Sequence, residues 1–246
     1  MREWLIARPV AHRGLHDAAA GVVENTPSAF TAAIAGGYAI ECDIQISADG
    51  EAMVFHDQTL ERLTGGSGRV DAMPAAELKR VPFCNGGDRM ITLRELCDLV
   101  ADRTGLLVEI KSRFDGDLRL VTRAADVLAG YAGRVALMSF DPAPIAALRT
   151  LAPRLPRGIV AERHYTHAEW SPLPARTKRA LAYFHHALRS RPQFIAYSVK
   201  DLPSAIPGLA RTVLRLPVLT WTVRSDVDRE RAARYADQMI FEGFRP

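Results

Sequence analysis

The regular alternation of short, β-rich apolar runs with helical patterns is the feature that most constrains the fold of this chain. The runs are spread along the whole sequence, and helix start signals stand between them. The eight predicted strands are PVAH (9–12), AIECDIQI (39–46), LLVEIK (106–111), VALMSF (135–140), GIVAE (158–162), FIAYSV (194–199), VLTWTV (218–223) and QMIFE (238–242). In a chain of 246 residues, this order favours an α/β fold, a single (β/α)8 TIM barrel. A doubly wound open sheet is the alternative, because periodicity alone does not show closure.

Capping residues place helices between the predicted strands. Thr26 can cap a helix that has Pro27 at its first position. Thr92 and Glu95 form a capping box ahead of the amphipathic run LRELCDLV. Two more helices are predicted to open at Asp141 and Ser225.

One departure from regular alternation follows the second strand. The run AMVFH (52–56) comes after a Ser-Ala-Asp-Gly turn and is predicted to pair with that strand as a hairpin extension. The next stretch, 57–91, has the least regular pattern and is predicted to be a small insertion at the barrel mouth, between the second strand and its helix. No linker or repeat divides the chain, so residues 1–246 are interpreted as one domain.

Composition and charge exclude some classes of function. Hydrophobic residues make up 48% and charged residues 24% of the chain, which is ordinary for a soluble globular protein. The net charge of +4 suits an anionic substrate, but the basic residues form no dense block and accompany no nucleic-acid motif. A solvated surface explains most of them, and no nucleic-acid partner is expected.

Cysteine usage and hydropathy bear on location. The three cysteines show no CxxC spacing, which fits a reducing compartment. No apolar run approaches the roughly 18 residues of a membrane span, and the apolar run near the amino terminus is too short for a signal peptide. We expect a cytoplasmic protein without stable membrane insertion. A homodimer is left open.

Charged and histidine side chains stand at the ends of the first three predicted strands and of the hairpin. The residues are His12, Arg13, Glu41, Asp43, His56, Glu109 and Lys111. Residues two apart on a strand point to the same face. Because charges inside a barrel are costly unless they are paired or bound to metal, and because active sites of such barrels lie at the carboxyl ends of the strands, these residues predict one site.

The residue types indicate the chemistry of that site. Glu41, Asp43 and Glu109 form an oxygen ligand set suited to one divalent cation, Mg²⁺ or Ca²⁺. Arg13 and Lys111 can hold an anionic group. The two histidines, at positions 12 and 56, can serve as acid and base.

Each of these residues also has a structural interpretation. A single histidine at a strand end is usually structural, the two carboxylates of the second strand could face outward, and Glu109 with Lys111 could be a simple ion pair. Their co-location at neighbouring strand ends favours the functional interpretation.

The motifs around these residues resemble those of the glycerophosphodiester phosphodiesterase family, whose barrel is shared with phosphatidylinositol-specific phospholipases C. The matching segments are AHRG (11–14), ENTPSAF (24–30), ECDIQISADG (41–50), VFHD (54–57), ERLTGGSG (61–68), VEIK (108–111) and TWTV (220–223). Their order and spacing match over the first 111 residues, and such a linear set is far more specific than one short motif.

The resemblance implies a role for each matched position. His12 and His56 would be the catalytic acid–base pair, and Arg13 and Lys111 would bind the phosphate. The metal ligands would be Glu41, Asp43 and Glu109. The substrate-binding set would also include Glu24, at the rim of the site, and Trp221, which would close the pocket. The alternative for Glu24 is a charge that favours the following helix, and the alternative for Trp221 is an aromatic residue of the core. Ser139 and Phe140 match a weaker pattern and are interpreted as packing residues.

The sequence also departs from the family pattern. Val23 stands where the family usually has a proline, and Ile91 replaces the proline of a Pro-Thr-Leu motif. The last strand usually ends in a Thr-Asp pair, whereas this chain reads IFEGFRP (240–246). None of these changes removes a proposed catalytic or metal residue.

The resemblance implies hydrolysis of a glycerophosphodiester to sn-glycerol 3-phosphate and an alcohol. Water or a neighbouring substrate hydroxyl could attack. Two alternatives remain: a lysophospholipase D-type lipid enzyme and a non-catalytic phosphate-binding barrel. The loop 162–179, rich in aromatic and basic residues, could recognise a head group or touch a lipid surface, but it could equally be only a cover.

Overall fold

The computed structural model describes residues 3–246, so the first two residues of the expected domain lie outside it. Within these described residues, one sheet contains nine strands: β1 (Val10–Ala11), β2 (Ala39–Ile46), β3 (Ala52–Val54), β4 (Leu106–Ile110), β5 (Val135–Ser139), β6 (Arg157–Ala161), β7 (Phe194–Ser198), β8 (Val218–Val223) and β9 (Gln238–Phe241). All except β3 pair in parallel with their neighbours. The predicted strands are confirmed, with ends that differ by up to two residues.

The sheet closes into a barrel through its first strand. Val10 is in register with Ala39 of β2 on one side and with Ile240 of β9 on the other. The eight parallel strands therefore form a ring, the (β/α)8 barrel is confirmed, and the open-sheet alternative is wrong. Strand β3 runs antiparallel to β2, with Val54 opposite Ile44, so the hairpin extension is also confirmed.

Helices occupy the connections between the strands. They are α1 (Trp4–Ala7), α2 (Pro27–Ala35), α3 (Ala75–Leu78), α4 (Leu93–Val100), α5 (Arg119–Ala129), α6 (Pro142–Leu151), α7 (Ala175–Ala182), α8 (Ala187–Ser190), α9 (Ala205–Thr212) and α10 (Asp226–Tyr235). The caps predicted for α2, α4, α6 and α10 are all present as side-chain hydrogen bonds to backbone N–H groups. No helix among the described residues is long and apolar enough to cross a lipid bilayer.

The interior of the barrel is a packed apolar layer rather than a pore. Val160, Phe194 and Leu219 belong to one buried cluster inside the strands, and Leu5 of α1 joins it. Gly158 makes room for Phe194, since a Cβ added there would lie 2.3 Å from the phenyl ring. The filled interior leaves the carboxyl ends of the strands as the place for a cavity.

The segment 57–91 has a small core of its own. Leu60, Val70, Leu78 and Phe83 pack against Phe55, which directly follows β3. The segment contains a 3₁₀ turn and helix α3 but no strand longer than an isolated bridge among its residues. It is therefore fixed against the hairpin, beside the ends of β2 and β3.

The capping box of α4 gives a test of local stability. Thr92 Oγ1 accepts a hydrogen bond from Glu95 N at 3.2 Å, and Thr92 N donates to Glu95 Oε2 at 2.9 Å. We expect Thr92→Ala to lower the free energy of unfolding by about 1 kcal/mol in denaturant titrations. Thr92→Ser keeps the accepting oxygen, so its free energy of unfolding should stay close to that of the parent protein. An equal loss of stability in both variants would contradict the capping role.

Candidate active site

The turn after β1 presents His12 and Arg13 at the carboxyl end of the barrel. Arg13 and Gly14 both adopt left-handed backbone conformations, with φ of 54° and 78°. A Cβ on Gly14 would lie 2.9 Å from Ala29 of α2, so the turn needs glycine for both its conformation and its close packing. This explains why the AHRG motif has a glycine directly after its two polar residues.

Three carboxylates meet beside this turn. Glu41 and Asp43 lie on β2, and Asp43 is in register with Glu109 on β4. All three are buried, and each offers an oxygen atom within 4.8 Å of the others. The alternative interpretation, in which the two carboxylates of β2 face outward, is wrong.

Arg13 and Lys111 balance part of this negative charge. Lys111 Nζ lies 2.8 Å from Asp43 Oδ1 and 2.6 Å from Glu109 Oε1, and Arg13 Nε lies 3.3 Å from Asp43 Oδ2. Arg13 N also donates to Glu41 Oε2 at 2.9 Å. Burial opposes the charged forms of both bases, but the surrounding carboxylates outweigh it and raise the pKa of each.

The pKa values of the carboxyl groups show how strongly they repel one another. Burial, together with the charges of Asp43 and Glu109, raises the pKa of Glu41 well above its usual range. Burial also raises the pKa of Glu109, although Lys111 acts against it. For Asp43 burial is outweighed by Lys111, His56 and Arg13, and its pKa is held well below the usual range. An oxygen-rich, buried and mutually repelling set of this kind fits a hard divalent cation.

His12 is held by a carboxylate from the last strand. Its Nδ1–H donates to Glu242 Oε2 at 2.5 Å, and His16 Nε2 lies 3.7 Å from the same oxygen. Arg224 Nε holds the other carboxylate oxygen at 2.6 Å. Burial lowers the pKa of His12 to about 4 despite this partner. With Nδ1 used by Glu242, Nε2 is the atom of His12 that can accept a proton.

His56 has a separate carboxylate partner. Its Nδ1–H donates to Asp57 Oδ1 at 2.6 Å, and Arg62 holds Asp57 through Nε at 2.5 Å. Arg62 also donates to Glu24, which in turn accepts from Arg13 Nη1 at 2.7 Å. Burial would raise the pKa of Asp57, but His56 and Arg62 hold it well below its usual range. The segment 57–91 thus contributes Asp57 and Arg62 to the support of His56.

A cavity of about 600 Å³ joins these groups. Of the residues predicted for the site, it is lined by His12, Arg13, Glu41, His56, Glu109, Lys111 and Trp221. Asp43 lies beneath this layer, where Asn25 Nδ2 donates to its Oδ2 at 2.9 Å. Glu24 contacts Arg13 from the side, before the cap residue of α2. The structure therefore brings all nine predicted residues together, seven at the cavity surface and two in contact with them.

Trp221 and Phe140 form part of the cavity wall. Their ring centroids are 5.4 Å apart in an edge-to-face arrangement, and Trp221 Nε1 donates to the Ala196 carbonyl at 3.0 Å. Phe140, interpreted from the sequence as a packing residue, also lines the cavity. Ser139 is buried and donates to the Ile110 carbonyl at 2.7 Å, as a packing role requires.

Several residues of the site were not predicted from the sequence. Asn25, Arg62 and Glu162 were not singled out, and Glu242 appeared only as a departure from the Thr-Asp pattern. A carboxylate at the end of the last strand was the available signal for Glu242, since barrel strands end at the site. Arg62 lies in an insertion, where strand periodicity gives no guide to position.

A family model and a curated relative match most of this chain. The model of the glycerophosphoryl diester phosphodiesterase family matches residues 12–244. A glycerophosphodiester phosphodiesterase of Caldanaerobacter subterraneus subsp. tengcongensis is 29% identical over 238 residues, covering 90% of this chain and 88% of the relative.

Two solved structures share the fold. A phosphodiesterase of Oleispira antarctica, in complex with the product sn-glycerol-3-phosphate, has a TM-score of 0.76 at 20% identity and covers 95% of this chain and 91% of its own. A glycerophosphodiester phosphodiesterase of Thermotoga maritima has a TM-score of 0.70 at 20% identity, covering 95% and 94%. Because the family model spans nearly all of the chain, and the barrel is that of these structures, the chain belongs to the glycerophosphoryl diester phosphodiesterase family of phosphoric diester hydrolases.

Proposed function

We propose that this chain hydrolyses glycerophosphodiesters to sn-glycerol 3-phosphate and an alcohol, with a divalent cation and a pair of histidines. The main observation in favour of this proposal is a single cavity that brings together two imidazoles, the side chains of Arg13 and Lys111, and a set of buried carboxylates. The product bound by the Oleispira antarctica phosphodiesterase supports the choice of substrate.

Glu41, Asp43 and Glu109 would hold the cation, Mg²⁺ or Ca²⁺. When all three carboxylates are ionised, as ligands of a cation would be, Arg13 and Lys111 beside them leave the centre with one net negative charge. A divalent ion reverses that sign, so that the centre then matches the single negative charge of a phosphodiester. When bound, such an ion would neutralise a phosphoryl oxygen and stabilise the charge that develops on it.

Arg13 and Lys111 would fix the phosphate. Both line the cavity, and both keep their positive charge because their pKa values are raised. Glu24 acts as a positioning residue here, since its ion pair holds the Arg13 guanidinium in place. A guanidinium held in this way can donate paired hydrogen bonds to phosphate oxygens.

The two histidines would divide the proton transfers. Burial keeps His12 neutral, and its free Nε2 accepts a proton from the attacking hydroxyl, of water or of the substrate. His56 would donate its Nε2 proton to the departing alkoxide as the phosphorus–oxygen bond breaks. Asp57 holds the His56 ring in place by accepting a hydrogen bond from Nδ1 at 2.6 Å, which leaves Nε2 as the nitrogen available for proton transfer.

The two alternative functions receive less support. A lysophospholipase D would be favoured by an open, apolar loop 162–179, but Tyr165 and Trp170 of that loop are buried. The residues that the loop presents to the cavity are polar: His164, Thr166, His167 and Glu169, besides Glu162. A non-catalytic phosphate-binding barrel would not need two histidine–carboxylate pairs around one cavity.

A panel assay tests the proposal. Purified, metal-stripped protein would be supplied with several glycerophosphodiesters and with lysophosphatidylcholine, with and without Mg²⁺ or Ca²⁺. We expect metal-dependent release of sn-glycerol 3-phosphate from the water-soluble diesters. Faster turnover of the lysolipid would favour the lipid enzyme, and phosphate binding without turnover of any diester would favour the binding protein.

A further inference from the structure

Glu162 is a buried acidic residue that the mechanism above does not use. It follows β6 directly, its side chain is 6% exposed, and it lines the same cavity as His12 and His56. Its Oε1 atom is buried and has no hydrogen-bond partner among residues 3–246. A buried carboxylate oxygen without a partner is costly, and this cost indicates that a ligand supplies the missing partner.

Among residues 3–246, the only basic side chain that contacts the Glu162 carboxylate is a histidine. Within the described part of the chain, neither a lysine nor an arginine forms an ion pair with Glu162, and His167 Nε2 lies 3.9 Å from its Oε2 on a largely exposed side chain. Lys200 also lines the cavity, but its ammonium is held by Asp228 at 2.8 Å. Burial raises the pKa of Glu162 to about 7, although His167 and the nearby Trp170 act to lower it.

Aromatic rings surround this side of the cavity. We call Phe140, Tyr165, Trp170 and Trp221 the aromatic wall. Successive ring centroids lie 4.8 to 5.4 Å apart: Trp170 contacts Tyr165 and Phe140, and Phe140 contacts Trp221. Phe140 and Trp221 reach the cavity surface. The other side of the cavity presents Arg13 and Lys111, so the two sides differ in both charge and chemistry.

We propose that Glu162 and the aromatic wall form a subsite for an organic ammonium group on the alcohol part of the substrate. This inference rests on the proposed function, and it adds a preference for diesters of cationic amino alcohols over diesters of neutral alcohols. The phosphate binds on the side of Arg13 and Lys111, while the positive head group lies against Glu162 and the faces of the aromatic rings.

Charge and ring chemistry together favour an ammonium group over a neutral polyol. His164 and Thr166 could bind a hydroxyl group elsewhere on this cavity, but the two rings of the aromatic wall that reach its surface offer a polyol no partner, because Phe140 has no polar atom and Trp221 Nε1 already donates to the Ala196 carbonyl. An ammonium group would neutralise the Glu162 carboxylate and would be attracted to the negative faces of the rings. It would also replace the weak contact between Glu162 and His167.

A matched pair of ligands tests the recognition of charge without any turnover. Phosphocholine and 3,3-dimethylbutyl phosphate share the phosphate and the shape, and differ by nitrogen in place of carbon. In titration calorimetry we expect phosphocholine to bind the parent protein roughly tenfold more tightly. Equal affinities would overturn the proposal.

Variants connect this preference with Glu162. We expect Glu162→Gln to reduce the ratio of the affinities for phosphocholine and 3,3-dimethylbutyl phosphate to about one to two. Glu169→Gln is the control, because it removes the same charge from an exposed position on the same cavity wall. This control variant should keep most of the affinity ratio. An unchanged ratio in Glu162→Gln would overturn the assignment. If Glu162→Gln does not fold, Glu162→Asp can replace it, because the shorter side chain moves the carboxylate away from the ammonium group and should also lower the affinity ratio. A ratio equal to that of the parent protein would contradict the role of Glu162.

Turnover separates this inference from the proposed function. Glu162→Gln should lower kcat/KM for glycerophosphocholine and glycerophosphoethanolamine roughly tenfold, and for the neutral glycerophosphoglycerol by less than about threefold. Equal losses on all three substrates would contradict the ammonium subsite. If the parent hydrolyses no diester but keeps the ligand preference, the proposed function fails and the subsite stands.

Discussion

Replacing His56 with alanine should lower kcat for glycerophosphodiesters by roughly 10²–10⁴, and replacing His12 should have an effect of similar size. Each histidine has one ring nitrogen bound to a carboxylate and lines the cavity, so neither loss can be made up by the other. Steady-state kinetics with circular dichroism would measure activity and folding together. His185→Ala is the control, because His185 is exposed and lies between α7 and α8.

A substrate with a good leaving group separates the two roles. A nitrophenyl ester needs no proton on the departing oxygen, so His56→Ala should recover much of its activity on bis(4-nitrophenyl) phosphate. His12→Ala should not, because activation of the attacking hydroxyl is still required. Recovery in the His12 variant alone would reverse the assignment of base and acid, and near-parent rates of both variants on glycerophosphodiesters would contradict histidine catalysis altogether.

The second large effect is expected from removal of the metal. Dialysis against EDTA should lower activity by at least about 10², and Mg²⁺ or Ca²⁺ should restore it in the parent protein. Glu41→Gln removes one ligand of the proposed set and should respond to neither treatment. Activity of the parent that survives complete chelation would contradict the ligand set of Glu41, Asp43 and Glu109.

Stability measurements distinguish a lost metal site from a damaged fold. Because the folded-state pKa of Glu41 lies above the unfolded value, the native state binds protons more readily, and its stability falls as the pH rises through that range. Glu41→Gln in EDTA should therefore have a higher Tm than the parent near about pH 8, with a smaller difference near about pH 5. The same variant should lose the increase in Tm that metal gives the parent. A lower Tm at both pH values would show a structural role instead.

Much of the fold could be predicted because its determinants are local. The strands alternate with capped helices, and Thr26, Thr92, Asp141 and Ser225 make the hydrogen bonds that their positions predict. Closure could not be derived from periodicity, since it depends on the pairing of β1 with β9, at the two ends of the chain. Chain length and strand order favoured a closed barrel over an open sheet, and the family resemblance implied the same fold.

The same distinction applies to the site. His12, Glu41 and Glu109 could be predicted because each ends or lies on a strand whose direction fixes where its side chain points. The partners of those residues come from distant segments: Glu242 is separated from His12 by 230 positions. The lack of a hydrogen-bond partner for Glu162 Oε1 results from three-dimensional packing. No sequence pattern distinguishes Glu162 from a surface carboxylate at the start of a loop.

The position of a bound cation is the most direct test of the proposed centre. Crystals grown with Mn²⁺ and sn-glycerol 3-phosphate would locate the ion by its anomalous scattering. We expect one strong peak in the cavity, about 2.0–2.6 Å from oxygen atoms of Glu41, Asp43 and Glu109, with the phosphate between the ion and the two histidines. A peak outside these three carboxylates, or none under conditions in which Mn²⁺ supports turnover, would contradict it.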